Sequence, residues 1–361
     1  MNALPAPEAG RVEIRVTVAE GRVRAADIRS LRPLSIVSRF TGRTVGEIVP
    51  MLALLHGPCG ASHAAALHFA GAAAQGRAVP TEETAAWIRR LAGERVAEHL
   101  GHLAAAEALP DFASYETRRR LRDMLAAARV LARGMGSLDR PAATLLEAAA
   151  RLDLGDRTAK PTAVPPEPAH PVDPLTGADD PAILAGLAAD PDFPARPALE
   201  ARCPEAGPAA RCGDTAAAPG MAIRARRTEI RAALAEIDGT ATDPAWIAGG
   251  GLGDGAGFAA VESPRGRLHY RVAIAADGRI REARVLAPTE WNFHPQGPVA
   301  RMLVGLPADH GAVEHGAVEH GAVEHGSGGD PARDAERVLA RRVAAFDPCV
   351  PFRIVWEAAD A

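Results

Sequence analysis

Two segments near opposite ends of the chain constrain it most: His56-Gly57-Pro58-Cys59-Gly60-Ala61-Ser62-His63 and Phe346-Asp347-Pro348-Cys349-Val350-Pro351-Phe352. Each reads as half of a metal site, and each supplies one thiol. Thiolates suit soft metals, and a sulfur-rich site with histidine is also compatible with zinc. From the local sequence alone, a buried apolar cysteine beside a helix-capping His63 is the simpler reading of the first segment. Cys203 and Cys212 lie in a Pro/Ala/Gly-rich stretch at a spacing that fits no common zinc pattern, and they read as incidental. Four scattered cysteines in 361 residues make no disulfide framework.

A chain of this length holds one large domain or two ordinary ones, with ample core. The hydrophobic fraction is 47%, much of it alanine, and aromatic residues are only 4%, so the core is expected to be helix-rich and packed with small side chains. A net charge of −4 carries no nucleic-acid footprint. No apolar run approaches the roughly 18 residues of a membrane span. Met1 to Gly10 has neither a basic n-region nor an apolar h-region, so the cytoplasm is the expected compartment.

Along the chain, residues 11–28 read as a hairpin: Val12, Ile14, Val16 and Val18 alternate with Glu13, Arg15 and Thr17 before Glu20-Gly21 turns the chain. Residues 44–153 are mostly helical by period, with one apolar stripe at Leu121, Met124, Leu125, Ala128 and Leu131. Residues 158–220, rich in proline and aperiodic, read as a long irregular connection. A second hairpin is expected over about 257–286, with Leu268, Tyr270, Val272 and Ile274 alternating and Asp277-Gly278 as the tight turn. Residues 331–345 look like a final helix that delivers Phe346 and the Cys349 turn. Just before it, His310, His315, His320 and His325 recur in a His-Gly-Ala-Val-Glu repeat. A five-residue step holds no single helical face and glycine disfavours helix, so 307–330 is expected to be a flexible loop. Its imidazoles and carboxylates could take nickel or zinc, but a loop expansion that merely tolerates length is the preferred reading.

Five further features and the second cysteine segment fall in the order found in nickel–iron hydrogenase large subunits, which the two cysteine segments resemble through their C-G-x-C-x-x-x-H and D-P-C-x-x-C motifs. Arg11-Val12-Glu13 resembles the opening strand, and Arg43 precedes His56 by the family's usual spacing. Pro204-Glu205-Ala206-Gly207-Pro208-Ala209-Ala210-Arg211 resembles the P-x-E-x-G-P-L-A-R segment. Glu262-Ser263-Pro264-Arg265-Gly266 resembles E-[AST]-P-R-G, and Pro288-Thr289-Glu290-Trp291-Asn292-Phe293 resembles P-[ST]-T-W-N. Asp347-Pro348-Cys349 completes the series. The resemblance covers roughly 11–75 and 190–352 and implies a single α+β, mainly helical domain over 1–361: a shortened large-subunit-like helical core with small β-hairpin regions.

In that family four thiolates hold nickel beside an iron carrying cyanide and carbonyl. The resemblance makes Cys59 and Cys349 the surviving metal ligands here and sets Pro264, Arg265, Pro288, Thr289 and His63 around the cofactor position. A cyanide nitrogen needs donors. Arg265 offers a charge-assisted fork, Thr289 a hydroxyl, and the two prolines keep water away. Without the family, Arg265 would read as a surface salt-bridge residue after a strand.

Much of the family's catalytic apparatus is missing. His56 and Phe352 replace two thiolates, Val37 stands where a proton-relay glutamate belongs, and Val355 stands where the C-terminal histidine belongs. No Asp or Glu lies between Asp27 and Glu47, and only a short tail follows, so the endopeptidase cleavage site is absent. This combination resembles the HupK-type hydrogenase expression/formation proteins. It implies a non-catalytic scaffold or chaperone of hydrogenase maturation that transiently holds an iron cyanide/carbonyl fragment, with the hydrogenase large-subunit precursor and maturation factors as partners. Two rival readings are a nickel-delivery protein using the histidine repeat and a divergent but active hydrogenase subunit.

Overall fold

The computed structural model describes residues 10–32, 39–106, 109, 112–134, 136–152, 154, 172–200, 202–218, 220–241, 246–308, 317–319 and 331–358. The opening alternation produces β1 (Val12–Ala19) and antiparallel β2 (Arg22–Ser30), joined through Glu20 and Gly21 at φ 52° and 68°. Two residues of positive φ make the turn whose twist suits a hairpin. Five helices follow, as the period predicts: α1 (Val45–Leu55), α2 (Gly60–Ala74), α3 (Thr81–Ala105), α4 (Tyr115–Arg133) and α5 (Asp139–Ala149). Thr44 and Glu47 form a capping box at the start of α1. Ser114 accepts from Thr117 N at the start of α4, and Gly134 closes α4 in the left-handed region.

The predicted α4 stripe is the buried one, except that Leu125 is only half-buried and Ala127 joins the core. It packs with Leu100 and Leu103 of α3 and with Ile230 and Ile237 of the long helix introduced below. Helix α2 is different: it is buried on nearly every side, from Gly60 to Leu67 and at Ala70 to Ala72. That is the behaviour of a helix apolar all round. Its small side chains let it lie directly against the second sheet, so closely that a Cβ at Gly257 would come within 2.5 Å of Ala70 O.

The stretch expected to be irregular is more ordered than its proline content suggests. Among its described residues are α6 (Asp180–Ala189) and a single turn, α7 (Pro208–Arg211). The expectation over 158–220 is corrected there, for a physical reason: Pro181 sits in the first turn of α6, where no intrahelical N–H is lost. Ile183 and Leu187 then bury against Leu286 and Trp291. Next come α8 (Met221–Asp238) and a four-stranded antiparallel sheet of β3 (Ile247–Gly253), β4 (Ala256–Ser263), β5 (Gly266–Ile274) and β6 (Ile280–Leu286), in that spatial order. The predicted hairpin is its β5–β6 half.

The chain continues through α9 (Pro288–Asn292), α10 (Pro298–Leu303), β7 (Ala317–Glu319), α11 (Pro331–Ala345) and β8 (Phe352–Ala358). Strand β8 runs parallel to β1, pairing Val12 with Phe352, Ile14 with Ile354 and Val16 with Trp356. The first sheet is therefore ordered β2-β1-β8-β7 and ties the two ends of the chain together. Phe352, at a position where the resembled family has a ligand, is a core residue against this sheet. One part of the histidine repeat is also corrected. Ala317, Val318 and Glu319 pair antiparallel with Val355, Ile354 and Arg353, because β8 leaves one edge unpaired by β1. His310, His315, His320 and His325 lie outside the described residues, as does Val37.

Candidate functional site

The site is assembled on the tight turn between β4 and β5, where Ser263 pairs with Gly266 across Pro264-Arg265. Ser263 Oγ donates to Gly266 O (2.7 Å) and accepts from Arg265 N (3.2 Å), which fixes the turn and both residues it presents. Gly266 has φ 125°, and a Cβ there would lie 2.8 Å from Ala206 Cβ, 2.9 Å from Gly207 N and 3.0 Å from Pro288 Cβ. Three of the sequence segments singled out above therefore converge on one glycine. Asn292 locks two of them: its Nδ2 donates to Ala206 O and its Oδ1 accepts from Ala206 N, both at 2.8 Å.

From this turn the Arg265 guanidinium reaches both cysteine segments. Its Nη1 donates to Cys59 Sγ (3.2 Å), its Nε to Asp347 O (3.2 Å), and its Nη2 to Asp347 Oδ1 and Glu98 Oε2 (both 3.1 Å). Cys59 is buried just ahead of α2, while Cys349 is half-buried in the turn after α11. Thr289 Oγ1 donates to Cys349 Sγ at 3.4 Å. Asp347 adopts φ 50°, a left-handed kink that swings the cysteine turn back over Arg265. Arg226 supports that turn by donating to Ala345 O (3.2 Å). Pro264 and Pro288 are both buried beside it.

The local electrostatics follow from burial. Burial pushes the Cys59 thiol well above its ordinary value, with the Arg265 charge acting the other way. Burial also opposes the charge on Asp347, yet Arg265, His102 and Arg226 hold that carboxyl below the usual range. Burial raises Glu98, with Arg265 opposing. Glu94 accepts from Ala61 N (2.6 Å), Ser62 N (3.0 Å) and Ser62 Oγ at the start of α2, but burial still pushes it up to about 7.

Of the residues expected from sequence, Cys59, Arg265, Thr289 and Cys349 come together, with Pro264 and Pro288 at their side. His63 stands apart in its contacts: its Nδ1 lies 2.6 Å from the Tyr270 hydroxyl, and its ring stacks on His56 at 3.8 Å. Cys203, read as incidental, is buried with Sγ 3.3 Å from His294 Nδ1, whereas Cys212 is exposed. Among the described residues, no three or more His, Cys, Asp or Glu side chains gather as a metal-holding group.

The sequence reading missed the acids on α3. Glu94, Arg95, Glu98, His99 and His102 form a run of polar residues in a helix whose Leu91, Val96 and Leu100 are core. Glu94, Arg95 and His99 are themselves buried, so the usable signal was charge recurring where the helical period demands an apolar face.

Behind the turn, charges alternate through the interior. His99 meets Glu229 (2.8 Å), Glu229 meets Arg211 (2.7 Å), and Arg211 meets Glu262 (2.9 Å). Glu262 then meets Arg267 (3.0 Å), Arg267 meets Asp180 (2.7 Å), and Asp180 meets His269 (2.8 Å). This series joins α3, α8, α7, β4, β5 and α6, and its Glu262 and Arg267 lie on the two strands that flank the Arg265 turn.

No family model matches the chain. It is 33% identical to the hydrogenase expression/formation protein HupK of Rhizobium leguminosarum bv. viciae over 98% of both chains. It is 30% identical to the hydrogenase expression/formation protein HoxV of Cupriavidus necator over 94% of both. Among solved structures, the Ni-Fe-Se hydrogenase of D. vulgaris Hildenborough aligns with TM-score 0.61 at 15% identity, covering 92% of this chain and 95% of that one. An NAD+-reducing [NiFe]-hydrogenase aligns at 0.53 over 92% and 94%. The expected large-subunit-like fold is thus the fold the chain has. With relatives this similar over nearly its whole length, the chain belongs to the HupK/HoxV family of hydrogenase expression/formation proteins.

Proposed function

We propose that this chain is a non-catalytic scaffold of nickel–iron hydrogenase maturation. As cargo it holds an iron fragment bearing cyanide and carbonyl, between Cys59 and Cys349, and passes it to the hydrogenase large-subunit precursor. The observation that carries the reading is Arg265 poised between the two cysteine segments, bonded to Cys59 Sγ and to the Asp347 turn that bears Cys349. Two thiolates fill only part of an iron's coordination shell. The rest suits ligands that the cargo brings, and a cyanide nitrogen is an acceptor that a guanidinium matches. A guanidinium has five N–H donors, and the second hydrogen on Nη1, beside Cys59, has no partner among the described residues. The Thr289 hydroxyl, beside Cys349, offers another donor. The cysteine protons must leave when metal binds, and burial keeps Cys59 a thiol until then.

The test is infrared spectroscopy of protein purified anaerobically from cells that mature a hydrogenase. Cyanide and carbonyl stretches are expected from the native chain. Cys59→Ala and Cys349→Ala should each lower iron content and those bands together, and the maturation factors that donate or receive the fragment should co-purify less. Bands of full strength in the double variant refute the assignment. Tight nickel without any such bands would point instead to metal delivery through the histidine repeat.

A further inference from the structure

We infer that Glu98 competes with the anionic iron fragment for Arg265, and so sets how readily the scaffold gives its cargo up. This rests on the reading of the site as an iron-fragment scaffold and names the residue that regulates release.

The partners of Arg265 are not equivalent. Asp347 takes two of its bonds, one through the backbone carbonyl and one through Oδ1. It belongs to the turn that carries Cys349, so it cannot leave without moving a ligand. Cys59 is itself a ligand. Glu98 belongs to neither cysteine segment: it reaches in from the middle of α3 on a flexible side chain. It is also the most exposed member of the group, 22% against 12% for Asp347 and 8% for Arg265, so water is ready to receive its carboxylate if it withdraws.

The charges argue in the same direction. Arg265 is a buried cation, and burying a cation without a partner is costly. When no cargo is held, Glu98 and Asp347 together provide that partner. A fragment carrying cyanides on two thiolates brings negative charge of its own to the same guanidinium. Two anionic groups then contend for one guanidinium charge, and the one nearest solvent and held by fewest bonds is the one that yields. In release the exchange runs backwards: Glu98 returns as the fragment departs, and Arg265 is never left unpaired. A scaffold without such a competitor would bind its cargo more tightly and transfer it more slowly.

The experiment compares native protein with Glu98→Gln and Glu98→Asp, purified anaerobically from the same maturation-competent cells. Glutamine removes the charge at constant size, and aspartate keeps the charge but shortens its reach. Both variants should retain iron longer on dialysis, with Glu98→Gln slower by roughly tenfold, which is 1.4 kcal/mol. Its cyanide stretches should also shift, because Arg265 donates more fully to the cargo. In cells the loaded scaffold should accumulate while mature hydrogenase lags. A measurement without cargo uses thiocyanate, a linear anion ending in nitrogen: it should bind Glu98→Gln more tightly than native protein. Iron lost equally fast or faster from both folded variants, or equal thiocyanate affinity, overturns the inference while leaving the scaffold reading intact. Native protein without cyanide bands overturns both.

Discussion

Arg265 carries more of the proposed site's specificity than either cysteine, because it is the group that touches both ligand segments. Its planar fork reaches in different directions, with Nε and both Nη atoms engaged. Lysine has a point charge and cannot satisfy that set. Arg265→Lys should therefore weaken retention of the iron fragment by the worth of one or two charge-assisted bonds, about 1.5–3 kcal/mol each, and shift the cyanide stretches while the fold persists. Unchanged spectra and unchanged maturation in cells would reduce Arg265 to a structural ion pair. At this scale the sequence was legible where a motif preserved a residue's identity, as at Cys59, Thr289 and Arg265. It was not legible at Glu98, because a carboxylate on a long helix ordinarily lies on the solvated face. Its contact is with Arg265 on the β4–β5 turn, a partner that no local pattern in α3 specifies. His63, kept by the same pattern as Cys59, has its contacts with Tyr270 and His56.

At the scale of elements, the β4–β5 turn does what a longer loop could not: it holds Arg265 rigidly while Ala206, Gly207 and Pro288 press against Gly266. Gly266→Ala would combine a φ of 125° with contacts below 3.0 Å to Ala206 and Gly207. Strained backbone of this kind costs about 1–3 kcal/mol, and overpacking adds a similar amount. A clear drop in the denaturation midpoint is expected, together with reduced iron content, since the turn that aims Arg265 must shift. A variant as stable and as well loaded as the native chain would show that the three segments do not depend on that close approach. The elements that could be read from sequence were those with local signals: the β1–β2 and β5–β6 hairpins with their Gly turns, the capped α4, and α11. Strand β3 hides in Gly249-Gly250-Gly251, which has no alternation to detect. Strand β8 did alternate, with Phe352, Ile354 and Trp356 buried, but its partner β1 lies at the far end of the chain, and nothing local specifies a parallel pairing.

At the scale of the whole molecule, the parallel pairing of β1 with β8 and the internal series of charges do the same job, holding distant segments in register around Arg265. Glu229 is the best test of that series because it is buried and meets both His99 and Arg211. Burial works against its charge, but Arg211 and His99 prevail and hold it far below the ordinary value of 4.5. An acid whose value is depressed by folding stabilises the native state at every pH above its unfolded value. It loses that contribution as pH falls toward the folded one. Glu229→Gln should therefore be destabilised by about 3–5 kcal/mol at neutral pH, the cost of leaving a buried partner uncompensated. The gap between native and variant should stay constant from neutral pH down to about 5, then narrow as the unfolded carboxyl begins to protonate. Denaturant titrations of both proteins between pH 7 and about 3 measure this directly. A gap that stays constant to the acid end, or widens, would mean that Glu229 owes its place to packing rather than to charge. The site would then be held by the sheets alone.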